Sequence, residues 1–465
     1  MKTLVMKFGG TSMGSAEAIG RCAEIVRAAR AEWPRVAVVV SAMSGVTDAL
    51  LKGATTAAVG DSVTYQTLVS ELRERHTAAL AGLADDQATA SGRTVVRDCL
   101  DEFFSLCHAV RVLGEASPRA LDAISSLGER MSIHLIAMRL NAVGVRAKAV
   151  DAADFVVTDS VFLAANPQMD ATKSKSDALV KPLLDDGIVP VITGFIGADA
   201  SGAVTTLGRG GSDFSAAIVG VVLGADEVWI WTDVDGVMTA DPRVVKDARS
   251  LEALTYREVA ELAYYGAKVL HPKTIRPVIE IGSILRIKNT FNPTHPGTRI
   301  VADEDGTSGT VKAVTAIKSL SLITVEGRGM IGVPGVAART FGATARTHTS
   351  VLMISQASSE QSICFLVPSA SAERVVAAIE QEFALELARR DIDKVWSWPE
   401  VVIVTVVGAG MQHTPGIAGR VFSALGAAGI NVIAIAQGSS ECSISLVVDA
   451  KDADQAVREL HKLTG

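Results

Sequence analysis

Lys7 stands two residues before a glycine pair, in Lys7-Phe8-Gly9-Gly10-Thr11-Ser12. A glycine pair lets backbone come close to a ligand, and amides opening a following helix favour an anion. A lysine adds a point charge suited to phosphate. Taken alone, a tight strand-to-helix turn is the simpler account of this segment. It has neither the G-x-G-x-x-G nor the Walker spacing, so those two nucleotide folds lose support. Thr206-Leu207-Gly208-Arg209-Gly210-Gly211-Ser212-Asp213 carries more, because three glycines, an arginine and an aspartate precede the apolar run FSAAIVGVV. An arginine clamps a carboxylate or phosphate through paired hydrogen bonds, and an aspartate one helical turn on can hold an ammonium group. This loop is too glycine-rich and too charged for a plain connector, so a binding role is the better account.

Weaker signals flank these two. The loop Ser41-Ala42-Met43-Ser44-Gly45-Val46-Thr47-Asp48 offers hydroxyls for a small polar ligand, but taken alone Thr47 or Asp48 reads more simply as a helix N-cap. Thr232 to Arg243 is either a long turn with Asx caps or a nucleoside and ribose pocket, and Gly266-Ala267-Lys268 offers a second lysine. Glu129, in SLGERM, reads by itself as a solvated charge. His271 and His295 sit beside prolines with no carboxylate or cysteine at metal spacing, so both read as structural.

The elements that must position these residues alternate. Apolar strands are expected at 4–8, 36–41, 188–193, 227–232 and 284–287. A helix is expected over 16–30, with Ile19, Ala23, Val26 and Arg30 at helical spacing, and a long helical stretch over about 60–140. Strands alternating with helices imply βαβ units and a mostly parallel sheet sandwiched by helices, whose ligand site lies beyond the carboxyl ends of the strands. With 465 residues the prior is about three domains. Aromatics make up only 5% of the chain, so Ala, Val, Ile and Leu must build the cores. The net charge of −7 gives no global pull toward nucleic acid or anionic lipid. Five scattered cysteines without a C-x-x-C pair read as a reducing compartment. No apolar run reaches the roughly 20 residues of a membrane span and no signal peptide is evident, so the expectation is a cytoplasmic protein.

After the polar stretch DEDGTSGT comes an internal repeat. LITVEGRGMIGVPGVAARTF from Leu322 matches IVTVVGAGMQHTPGIAGRVF from Ile403, and VLMISQASSEQSICFLV from Val351 matches VIAIAQGSSECSISLVV from Val432. Arg339 pairs with Arg420, Gln356 with Gln437 and Glu360 with Glu441, each 81 residues apart. Each copy reads as a βαββα unit. The second copy has no closing strand of its own, whereas VKAVTAI at 311–317 is a spare strand before the first. The expected division is a large domain at 1–302, a linker at 303–310, a first repeat domain at 318–398, and a second built from 311–317 plus 399–465, with the first inserted in it.

Taken in order, K-F-G-G-T-S, V-S-A-M-S-G-V-T, G-E-R, T-T-L-G-R-G-G-S-D, W-T-D-V-D-G-V, D-P-R and G-A-K-V-L-H-P resemble the aspartokinases of the amino acid kinase superfamily. The resemblance covers essentially the whole chain, and the repeats resemble the paired, ferredoxin-like ACT domains that sense amino acids in this family. It implies transfer of the ATP γ-phosphoryl group to the β-carboxylate of L-aspartate, giving 4-phospho-L-aspartate, the first step toward lysine, threonine, methionine and isoleucine. By resemblance, Lys7 contacts the transferring phosphoryl group with Gly9 and Gly10. Ser41, Thr47, Glu129, Arg209, Ser212 and Asp213 hold aspartate, Arg209 and Asp213 also counting as catalytic. Thr232, Asp233, Met238, Arg243 and Lys268 line the ATP site, with Mg²⁺ held through the phosphates and by no protein ligand. Met238 replaces a tyrosine common in the family and offers no hydroxyl.

In the threonine-sensitive branch, the glutamine of the I-x-Q-x-S-S-E pattern contacts threonine. Gln356 and Gln437, with Ser358 and Ser439, are thus the expected allosteric residues, with threonine favoured over lysine. A homodimer or tetramer through the ACT domains is implied, with no nucleic-acid or membrane partner. The alternatives are another amino acid kinase, such as one acting on glutamate, and a non-catalytic amino acid sensor. A fused homoserine dehydrogenase is not expected, since no dinucleotide-binding segment follows the repeats in this sequence.

Overall fold

The computed structural model describes the chain except residues 85, 267–269, 271, 303–310, 331–332, 357–360, 412–413, 438–441 and 465, with backbone alone at 86–88 and 272–273. Two compact units emerge: Met1–Val237, Ser250–Tyr256 and Leu270–Asp303 form one, and Met238–Arg249, Arg257–Val269 and Glu304–Gly465 form the other. The sequence reading kept everything up to 302 together. Two short segments differ because their polar partners lie in the second unit. Thr239 accepts a backbone bond from Val314 (2.8 Å), and its hydroxyl meets His461 Nε2 at 2.8 Å. Buried Glu258 pairs with Lys312 at 2.9 Å.

The first unit contains the strands β1 (Thr3–Phe8), β2 (Arg35–Val40), β3 (Ala147–Val150), β4 (Val189–Thr193), β5 (Ile196–Ala198), β6 (Val204–Thr206), β7 (Glu227–Thr232), β8 (Ala253–Thr255), β9 (Ile284–Asn289) and β10 (Thr298–Val301). The main sheet has the order β3-β4-β2-β1-β7-β9-β10-β8, and β5 and β6 form a separate hairpin. All pairings from β3 across to β9 are parallel, and only β10 runs against β9. β1 is central and buried along its whole length. Each fully buried Val or Leu contributes roughly 1.5–3 kcal/mol of transfer free energy, which the near-continuous apolar runs of β1 and β2 exploit on both faces.

The helix Ala16–Glu32 begins where Ser15 accepts the Ala18 N–H (3.2 Å) and buries Ile19, Cys22, Ala23 and Val26 at helical spacing. The long helical stretch resolves into Val63–Ala81, Asp86–Leu113 and Pro118–Ala142. The last of these opens with Ser117 as cap and Pro118 at its first position.

The second unit holds β11 (Ala313–Glu326), β12 (Met353–Gln356), β13 (Ser362–Pro368), β14 (Lys394–Val407), β15 (Ala434–Ala436) and β16 (Ser443–Asp449). These form one antiparallel sheet, β12-β13-β11-β14-β16-β15, where the repeat suggested two small ones. The fusion arises because β11 and β14 each run through both copies. Ala313–Ile317 pairs with Ile403–Val407, while Leu322–Glu326 pairs with Lys394–Trp398. The ladder is irregular between these stretches, and Ser319 (φ 62°) and Glu400 (φ 54°), 81 residues apart, adopt the left-handed region there. A shared core of Leu320, Leu322, Met353, Leu366, Val401, Ile403 and Val447 contains the repeat-related pairs 320/401, 322/403 and 366/447.

Candidate active site

Parallel strands bring their carboxyl ends to one edge, and the loops leaving β1, β2, β4, β7 and β9 all meet there. Backbone bonds lock the edge together. Ser41 N–H donates to Phe8 O (3.1 Å), Gly194 N–H to Val40 O (2.8 Å), Gly9 N–H to Trp231 O (3.2 Å) and Thr290 N–H to Thr232 O (2.9 Å). Gly10 O accepts from Ser44 N–H at 3.1 Å, fastening the first glycine loop to the second loop. A Cβ at Gly10 would stand 3.4 Å from Ala42 O, in van der Waals contact with the second loop.

Lys7 is 8% exposed and its ammonium lies 2.6 Å from Asp213 Oδ1, an ion pair off the hydrogen-bonding direction. Asp213 sits in the first turn of the helix Gly211–Leu223, whose cap, Gly210, has φ 73°. Ser212 and Asp213 therefore belong to the helix itself, and the Asp213 ion pair sets its N-terminus beside Lys7. Gly194 lets this turn approach: a Cβ there would meet Ser212 Cβ at 2.8 Å and Val40 O at 2.9 Å. Arg209 is exposed, and among the described residues no carboxylate pairs with it. Asp122, which the sequence reading overlooked, holds the strand before this loop. Its carboxylate accepts from Thr206 N–H (3.0 Å), Thr206 Oγ1 (2.7 Å) and Leu163 N–H (3.0 Å). Its pKa is raised by burial, which these hydrogen bonds only partly oppose.

Glu129 is not the solvated charge its sequence context suggested. It is 3% exposed. Its Oε1 accepts the Ala42 N–H at 3.1 Å and its Oε2 has no partner among the described residues. Burial pushes its pKa up to about 8, against the lowering effect of the Ala42 bond and of the Lys7 charge. A desolvated carboxylate with an open oxygen suits an incoming ammonium group. The residue pattern carried no hint of this burial; only the packing of Pro118–Ala142 against the sheet supplies it. In the second loop, Gly45 at φ 77° is the cap of Val46–Ala58 with no side-chain bond, so neither Thr47 nor Asp48 is the N-cap. Thr47 stays half-buried in the first turn.

Thr232 and Asp233 close β7, with the Thr232 hydroxyl 3.2 Å from Asp233 Oδ1 and Asp233 exposed. Asp235 was not singled out, yet it accepts from Asn289 (2.8 Å) and Asn292 (3.1 Å) and so ties this loop to the end of β9. Met238 and Arg243 belong to the second unit. Met238 is half-buried, and the exposed Arg243 guanidinium is held by Asp241 through bonds of 2.6–3.1 Å. Lys268 lies outside the described residues, as do Ser358 and Ser439. Gln356 ends β12, Gln437 follows β15, and both are exposed at opposite edge strands of the second sheet. His295 accepts the Gly297 N–H at 3.1 Å and meets the Ser250 hydroxyl at 3.2 Å, a structural role.

The edge thus combines a buried cation, a glycine-built cradle and a helix N-terminus, a set suited to phosphate, beside an unpartnered carboxylate suited to an amine. Comparison with known proteins agrees in kind. The amino acid kinase family matches residues 2–289, and the ACT domain matches 323–383 and 404–463. The bifunctional aspartokinase/homoserine dehydrogenase 1 of Arabidopsis thaliana is 38% identical over 464 residues, covering 98% of this chain and 50% of that protein. The chain spans about half the length of the bifunctional relatives it matches. Aspartokinase 1 of Arabidopsis thaliana is 35% identical over 471 residues, covering 99% of this chain and 80% of that one. Escherichia coli aspartokinase III, solved with aspartate and ADP, superposes with a TM-score of 0.81 at 29% identity over 99% of both chains. Its complex with lysine and aspartate gives 0.80, at the same identity and coverage.

Proposed function

The chain belongs to the amino acid kinase family, among the aspartokinases with paired ACT domains, and from that premise we propose that it phosphorylates the β-carboxylate of L-aspartate with ATP. The observation that carries this is the buried Lys7 ammonium, set between the Gly9-Gly10 turn and the N-terminus of Gly211–Leu223, with the open oxygen of Glu129 beyond the neighbouring loop. Nucleophile and phosphoryl donor are both anions, so the protein's task is positioning and charge neutralisation. A carboxylate nucleophile is already ionised at neutral pH and needs no strong base.

Lys7 and the glycine-loop amides offset the charge of the transferring group. Asp213 orients Lys7, and Arg209, Ser41, Thr47 and Ser212 grip the amino acid. Glu129 accepts its ammonium group. Thr232 and Asp233 with Met238, Arg243 and Lys268 hold the nucleotide. Mg²⁺, when carried in on the phosphates, supplies further charge neutralisation there.

We read 311–317 with 399–465 as one ACT domain and 318–398 as the one inserted in it. The pairing of Ala313–Ile317 with Ile403–Val407 supports this division. Gln356 and Gln437 are assigned to the effector, each offering donors and an acceptor that suit a zwitterionic amino acid or a hydroxyl side chain, and the resemblance of their I-x-Q-x-S-S-E pattern to the threonine-sensitive branch favours threonine. Lysine, present in an E. coli aspartokinase III structure, is the competing effector. Assembly as a homodimer or tetramer through these domains fits their exposed edge strands.

The decisive assay traps the acyl phosphate as a hydroxamate, with aspartate or glutamate as acceptor, each with and without threonine or lysine. Aspartate-dependent product lowered by threonine is expected. Turnover with glutamate alone, or inhibition by lysine alone, would redirect the reading, and no turnover with either acid would favour an amino acid sensor.

A further inference from the structure

A cavity of about 1010 Å³ runs along the helix Ala16–Glu32, on the sheet face that carries Trp229 and Trp231, and includes none of the loop residues assigned above to substrate or nucleotide. Its volume is that of a small-molecule site. The floor is aromatic: the two indoles lie 6.1 Å apart at 63°. Trp229 Nε1 donates to Glu227 at 2.6 Å, but Trp231, only 2% exposed, has its Nε1 buried without a partner. A second buried donor, Arg139 Nε at the cavity wall, is also unpartnered, although the same side chain donates to Leu83 O at 3.2 Å.

Lys288 stands 5.4 Å and 5.5 Å above the two indole centroids. Among the described residues only backbone carbonyls bond it, His295 O at 3.0 Å and Pro296 O at 3.3 Å. Of the wall carboxylates, Glu17 and Glu24 are taken by Arg21 and Arg27, each at 2.6 Å, while Glu32 is exposed. Lys288 is therefore a cation beside aromatic surface with no carboxylate partner among the described residues. Burial lowers the pKa of Lys288 and the Arg286 charge adds to this, against the opposing charge of Glu227.

We propose that this cavity is a second binding site, for a planar organic anion such as an aromatic carboxylate. The ring system packs on half-buried Trp229 and the helix Ala16–Glu32, while the anionic group neutralises Lys288. The site is independent of the kinase reading, since it uses none of those residues.

Anilinonaphthalene sulfonate serves as the probe, titrated by fluorescence into the native full chain. Saturable binding at one site per chain is expected, with its uncharged analogue N-phenylnaphthylamine at least about tenfold weaker. Lys288→Gln should shrink that difference. Gly20→Leu, at a helix position where an added Cβ meets nothing within 4 Å, fills the cavity and should weaken the probe about tenfold or more. Ala28→Trp, on the same wall, is the second blocking variant, and an unchanged melting midpoint certifies the fold of each. Absence of saturable binding overturns the proposal. So do equal affinity for the uncharged analogue and undiminished binding in both folded variants. Sedimentation showing that a second copy covers the cavity, with probe admitted only on dissociation, overturns it as well.

Discussion

The two units solve opposite problems with sheets. In the first, parallel strands gather five different loops at one edge, and charge is taken out of water there: Lys7 against Asp213, and Glu129 with one oxygen unmet. In the second, an antiparallel sheet states one motif twice, down to left-handed residues at 319 and 400, and leaves its glutamines exposed at edge strands. A chemical step needs one asymmetric, desolvated constellation, where electrostatics are strong. A sensor that shifts an equilibrium needs accessible, paired sites whose occupancy an interface can read.

That contrast can be broken most forcefully at Lys7. Lys7→Ala should lower kcat by roughly 10³-fold, as loss of a transition-state donor does, with the KM for aspartate nearly unchanged. Steady-state kinetics showing near-normal kcat would remove Lys7 from the chemistry. Next comes the close approach at Gly194. Gly194→Ala puts a methyl within 3 Å of Ser212 Cβ and Val40 O and should cost about 3 kcal/mol in urea unfolding, the range of an overpacked core.

Glu129 sharpens the electrostatic side. Its folded pKa, near 8, is raised from 4.5, so its contribution to stability is complete below the unfolded value and is lost as pH rises through about 8. Unliganded protein should therefore weaken over that window, and Glu129→Gln should flatten the loss in pH-dependent melts. Aspartate binding should run the other way, tightening as Glu129 ionises, and Glu129→Gln should raise KM about tenfold above pH 8. The smallest effect belongs to the repeated unit. Gln356→Ala and Gln437→Ala should each shift the half-inhibitory threonine concentration by about fivefold, the worth of one hydrogen bond, and leave kcat alone. Loss of turnover in either variant would mean that the glutamines support the fold and not the sensor.

Much of the fold was legible because periodicity and punctuation are local. The Val-rich runs gave strands, the spacing of Ile19, Ala23 and Val26 gave the first helix, and the 81-residue offset exposed the duplication. The loop of Arg209 and Asp213 was legible because glycine and charge together are poor material for a connector. Glu129, Asp122, Asp235 and Gly194 were not, since each acts through a partner 40 or more residues away.

By itself the sequence determined which residue types stand at strand ends, that the first sheet is mostly parallel, and that the C-terminal third is one unit written twice. Only the tertiary structure decided that Glu129 is buried with a free oxygen, that Lys7 meets Asp213, and that β11 and β14 run through both repeats to make a single sheet. The physical reason is range. Secondary structure and turns are set by neighbours in sequence, whereas desolvation and pairing of charges depend on which distant segments pack around them.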